Sequence, residues 1–153
     1  MVVRLRGGVN APHRVERTLR QLNLPKLFSA TIVPPTPSYI GMLKTAKDYI
    51  AWCEADAPLI EKILEKRGRV EGWRPITSEH LNKLGFKNFR ELAEALVECK
   101  TQLNRLNGVK PFFTLHPPRK GFKRSLRRPY SDGGTLGENP ELPSIVERML
   151  EMM

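Results

Sequence analysis

Six cations fall within ten residues, at Arg119, Lys120, Lys123, Arg124, Arg127 and Arg128, and no acid occurs between residues 101 and 131. Side chains of this type at this spacing suit one task, the neutralising of a line of phosphates with release of the counterions condensed on it. Without an anion they repel one another, so the sequence predicts a basic loop over residues 117–131 that is mobile when free. Pro117-Pro118, Gly121, Phe122, Leu126 and Tyr130 are interleaved with the charge, a pattern that suits base stacking beside phosphate contact. Phe122 and Tyr130 are the stacking candidates, with packing on the protein's own helices as their competing role. A disordered solubilising tail is the competing reading of the whole stretch, and the interleaved rings argue against it.

The formal net charge is +10 over 153 residues and is unevenly spread. Residues 1–35 carry six Lys or Arg against Glu16 alone, and residues 36–100 carry eleven against ten acids. Residues 101–131 carry eight against none, and residues 132–153 carry Arg148 against five acids. Such a balance points to a polyanionic partner. Arg14, Arg17 and Arg20 recur at helical spacing, and with Arg4 and Arg6 they form a second, more rigid candidate contact. An ordinary wet helix face would mix signs; only Glu16 balances this one.

Other chemistries find less support. His116 stands beside Pro117-Pro118 with no carboxylate near it in sequence, so it joins the RNA-binding set as a phosphate or backbone donor, not as a general base. His13, His80 and His116 have no ligand spacing, and residues 131–137 lack the Gly-Lys-Ser/Thr of a nucleotide-binding loop. No catalytic residue, metal or cofactor is expected. Two helices flanking Gly85 suggest a helix-turn-helix DNA reader, but the second carries Glu91, Glu94 and Glu98 where Arg, Asn or Gln would be needed. A basic membrane-surface helix needs more apolar residues than Phe122 and Leu126, and no apolar run approaches the roughly 20 residues of a membrane span. Met1–Arg6 is too short and too charged for a signal peptide. Cys53 and Cys99 allow one disulfide, with two reduced cytosolic thiols as the preferred reading. The expected localisation is cytoplasmic.

These surfaces need elements to hold them. Residues 1–55 read as a compact αβ core. It starts with a strand at Val2–Leu5 and a helix capped by Asn10, with Pro12 in its first turn and a Val15, Leu19, Leu22 stripe. A strand over Lys26–Val33 follows, halted by Pro34-Pro35. Thr36 then caps a helix with Pro37 at its first position and Tyr39, Met42, Leu43 and Ala46 on its buried face. Gly41 inside that helix costs about 1 kcal/mol against Ala, which suggests close approach by another backbone. A third strand spans Tyr49–Cys53. Residues 56–153 read as an extension with helices at 57–67, 78–84 and 88–99, a strand near 112–116, the basic loop and an amphipathic helix at 142–152. Asn88 and Glu91 form a capping-box-like start to the third of these helices.

Thr36-Pro37-Ser38-Tyr39-Ile40-Gly41-Met42, with Val3-Arg4-Leu5-Arg6, Leu22-Asn23-Leu24 and Thr31-Ile32-Val33-Pro34, resembles the family of the thirtieth protein of the large ribosomal subunit. Residues 1–55 are similar to the small core shared with bacterial versions. Leu115-His116-Pro117-Pro118-Arg119 and Gly133-Gly134-Thr135-Leu136-Gly137 resemble the longer archaeal form. The resemblance rests on the order and spacing of these motifs and spans nearly the whole chain. It implies an α+β fold, a small three-stranded ferredoxin-like sheet with helices on one face, plus the helical and basic-loop extension. It also implies a structural, non-enzymatic component of the large subunit in contact with ribosomal RNA, near the 5S RNA, and with neighbouring ribosomal proteins. This sequence departs from the pattern at Ile40, where the family commonly has Arg, so an RNA contact through that Arg is not carried over. The competing reading is another basic RNA-binding protein, or an accessory factor of an RNA-modifying enzyme.

Overall fold

Val2 and Val3 are neighbours in the chain and point to opposite faces of one sheet, as strand geometry demands, and both are fully buried. Helices must therefore cover both faces. The computed structural model describes residues 1–7, 11–106, 108–118 and 121–150. The expected cap Asn10, the loop residues Arg119 and Lys120, and the last helix beyond residue 150 lie outside the described residues.

Three short strands, β1 (Val2–Arg4), β2 (Ser29–Thr31) and β3 (Ile50–Trp52), form the antiparallel centre, with Val3 opposite Ala30 on one side and Ala51 on the other. Helices α1 (His13–Gln21) and α2 (Pro37–Thr45) pack on one face. There Leu19, Leu22, Leu43 and Ala46 bury Val2 and Ile50. The expected three-stranded αβ core with helices on one face is thus present. The sheet then grows to six strands, in the order β4-β2-β1-β3-β6-β5. The added strands are β4 (Phe113–Thr114), β5 (Ser125–Pro129) and β6 (Gly134–Glu138). The second face carries Val3, Ala30 and Ala51, buried under Ile60, Ile63 and Leu64 of α3 (Ala57–Arg67), Leu92 and Leu96 of α5 (Phe89–Val97), and Val146 and Met149 of α6 (Leu142–Leu150). The short α4 (Ser78–Lys83) adds Leu81 to the same core.

Local signals explain the helix starts. The Thr36 hydroxyl accepts from the Tyr39 N–H at 3.3 Å, with Pro37 following. Asp56 accepts from Leu59 N–H at 3.1 Å, and Asn88 from Glu91 N–H at 2.9 Å. Each satisfies an orphan donor of the first turn. The Glu91 carboxylate reaches back to Lys87 N–H in place of the Asn88 N–H that a capping box would use. Helix α1 follows Pro12 without a side-chain cap.

Several expectations change. The strand expected over Lys26–Val33 shrinks to Ser29–Thr31, because Phe28 adopts a left-handed φ of 62°, a conformation that interrupts extended backbone. The basic loop expected over 117–131 contains the strand β5, and the turn-rich run after it becomes β6. Both pair in parallel, β6 beside β3 and β5 beside β6. Gly41 is exposed with open space where a Cβ would sit, so no part of the described protein approaches it closely. Cys53 is half-buried, Cys99 is exposed, and both are free thiols. Among the described residues no helix is long and apolar enough to cross a membrane, and no cluster of His, Cys, Asp or Glu is arranged to hold a metal ion.

Candidate nucleic-acid interface

The sheet places the two basic segments on different elements. Strand β5 is an edge strand, reached after Phe122 anchors the preceding loop by stacking on Phe28 at 6.0 Å between ring centroids. That packing answers the question left open for Phe122: the ring is half-buried against the protein's own core. Leu126 packs on the same core. A register irregularity between Ser125 and Pro129 interrupts the two-residue alternation, and Arg127 and Arg128 are both exposed beside Lys123. A bulge re-aims side chains in this way.

Arg124 is held more firmly. Its guanidinium lies 4.6 Å from the centroid of the Tyr130 ring and its Nε 3.6 Å from Glu141 on the approach to α6. Arg148 of α6 donates to the Gly121 carbonyl at 3.1 Å. Phe122, Lys123, Arg124, Glu141 and Arg148 thus line a shallow groove between the basic edge and α6. The Arg124–Glu141 pair is largely exposed, and such a pair contributes at most about 1 kcal/mol. Arg124 and Tyr130 therefore come together as a cation–ring unit. His116 is exposed two residues after β4, at the opposite end of the strand order from β5.

Arg14, Arg17 and Arg20 are exposed on α1, whose other side, through Leu19, enters the core. Arg6 is half-buried, donates to the Asp48 carbonyl at 3.2 Å and lies 5.1 Å from the Tyr49 ring centroid. Arg4 departs from the expectation. It is only 8% exposed, with Nη1 donating to the Leu24 carbonyl at 2.8 Å and Nε to the Arg6 carbonyl at 3.0 Å. Burial lowers the pKa of its guanidinium, partly opposed by the nearby Glu16. Arg4 ties β1 to the turn after α1 and is spent inside the protein.

Arg4→Ala should cost about 1–3 kcal/mol, because two carbonyls lose their donor, one of them by a buried bond. Urea unfolding checks this. An unchanged midpoint with weakened RNA binding would return Arg4 to the contact surface.

An α+β fold with a cationic edge strand and a cationic helix face defines a basic protein that carries its charge on two separate elements. The comparisons give that class a family. The family model described as ribosomal protein L30p/L7e matches residues 1–50. The large ribosomal subunit protein uL30 of Nitrosopumilus maritimus is 41% identical over 150 residues, covering 98% of this chain and 97% of that protein. The uL30 proteins of Staphylothermus marinus and Korarchaeum cryptofilum are 42% and 40% identical, covering 97% of this chain in each case and 96% and 93% of their own lengths. The chain belongs to the uL30 family of large ribosomal subunit proteins.

Proposed function

We infer that the chain is a structural, non-enzymatic component of the large ribosomal subunit in the cytoplasmic ribosome, binding ribosomal RNA and supporting subunit assembly and translation. The observation that carries this reading is relatedness to uL30 proteins along almost the whole length of both partners. Neighbouring ribosomal proteins are its other partners.

The placement of the cations supports one mechanism for this reading. Lys123, Arg127 and Arg128 on and before the edge strand, with Arg119 and Lys120 next to them in sequence, meet phosphates and release counterions. Arg124 over Tyr130 offers a cation beside an aromatic ring. Arg14, Arg17 and Arg20 make a second contact on a rigid helix, with Arg6 near the core and His116 beyond β4 as further polar donors. Backbone and shape readout dominates, because the base edges of A-form RNA lie in a deep groove. Following the family resemblance, we place these contacts near the 5S RNA.

Binding to large-subunit RNA, to duplex DNA and to anionic vesicles, compared at physiological salt, tests the reading. The RNA should be bound most tightly. Equal binding to duplex DNA or to vesicles would reduce the surface to a generic polyanion site.

A further inference from the structure

The segment from Arg69 to Pro75 is a tight hairpin seated on residues 108–110. Val70 N–H donates to the Arg74 carbonyl at 2.8 Å and Trp73 N–H to the Val70 carbonyl at 3.0 Å. Glu71 N–H donates to Gly108 and Lys110 N–H to Arg69, at 2.9 and 2.8 Å, and Val70 bridges Val109. This frame holds Trp73 at φ 61°, in the left-handed region that non-glycine residues rarely adopt. Yet the side chain so fixed is 48% exposed. Core burial therefore does not account for the conformation, and strained backbone of this kind gathers where a protein holds a ligand.

The surroundings of the ring suggest what it holds. Lys110 Nζ lies over it, 5.4 Å from the centroid, and Phe112 meets it edge-on at 5.7 Å. Arg74 passes close to Gly72, where a Cβ would lie 3.8 Å from its Nε. Glu71 is the one acid within the hairpin, against Arg69 and Arg74, with Lys110 on the segment that seats it; Arg69 is occupied in donating to the Gly68 carbonyl. An aromatic ring with one cation over it and a second, Arg74, next in the chain matches an unpaired base and its phosphate, the pairing used by single-strand binding surfaces. A protein helix docking on an apolar patch would not call for this charge.

Resting on the ribosomal RNA reading above, we propose that Trp73 is a stacking platform for one unpaired base of that RNA, with Lys110 and Arg74 on the adjoining phosphate. Lys110 and Phe112 lead into β4, at the opposite end of the strand order from β5, so the site is separate from the basic edge.

A photo-crosslinking phenylalanine analogue in place of Trp73, in full chain assembled into large subunits, tests this. A crosslink to RNA is expected. A crosslink to protein alone, or none in subunits that contain the chain, overturns the platform and leaves the ribosomal reading standing. A chain that never enters the subunit overturns both. In solution, Trp73→Leu should weaken binding to large-subunit RNA about tenfold, as loss of one stacked base does, with the salt slope unchanged. Trp73→Phe should bind within about twofold of the original, as expected when a ring is kept. Equal affinity of a folded Trp73→Leu variant would overturn the proposal; if that variant fails to fold, the crosslink decides.

Discussion

Replacing Gly134 by Val should pull β5 off the sheet and destabilise the protein by about 3 kcal/mol, the upper end of what forced overpacking does. A Cβ at Gly134 would overlap the carbonyl of Arg128, and a backbone carbonyl in a paired strand cannot swing aside as a flexible side chain can. The strand must separate from β6 instead. Leu126 then leaves the core, and Arg127 and Arg128 lose their fixed positions. Thermal or urea unfolding reads the stability, and RNA affinity should fall with it. Gly41→Ala is the matched control, because Gly41 has open space around it in a helix. It should stabilise the chain by up to about 1 kcal/mol, the propensity difference. A stable Gly134→Val variant with unchanged RNA binding would show that β5 does not need its place beside β6.

The second large effect belongs to the charge. Neutralising Arg119, Lys120, Lys123, Arg124, Arg127 and Arg128 together should reduce the log–log salt slope of RNA binding by about 4–5, at roughly 0.7–0.9 per lost phosphate contact. Affinity at physiological salt should fall by about two orders of magnitude or more. The fold should survive, since among the described residues the ion pair at stake, Arg124–Glu141, is exposed. The same treatment of Arg14, Arg17 and Arg20 should reduce the slope by about 2, three contacts' worth. Equal slopes for the intact and neutralised chains would remove the basic edge from the interface. Edge strands also use charge to resist pairing with other chains, so aggregation of the neutralised protein should be checked by sedimentation before binding is compared.

What the sequence revealed was what short-range chemistry encodes. Thr36-Pro37, Asp56 before Ala57-Pro58, and Asn88 three residues ahead of Glu91 announce their helices through contacts three residues long. The central strands were legible from Val2-Val3 and from the run ending at Cys53. Strands β5 and β6 were hidden because both pair in parallel, β6 with the sequence-distant β3, and because Thr135 and Leu136 are adjacent yet both buried. No period-two pattern marks them. Arg4 read as a surface cation since nothing local shows that Leu24, twenty residues away, will take its proton donor. Phe122 likewise meets Phe28 from across the chain. Trp73 had a faint local signal, a bulky ring directly after Gly72 and directly before Arg74, but only the observed backbone angle and exposure give it meaning. The family was legible in the order and spacing of several motifs, none of them unique by itself.

Sedimentation with ribosomal particles after a high-salt wash tests the central claim most directly. The chain should travel with the large subunit, and the variant lacking the six cations should be released at lower salt. Recovery of the intact chain in the supernatant, or with the small subunit, would contradict its assignment as a structural component of the large subunit.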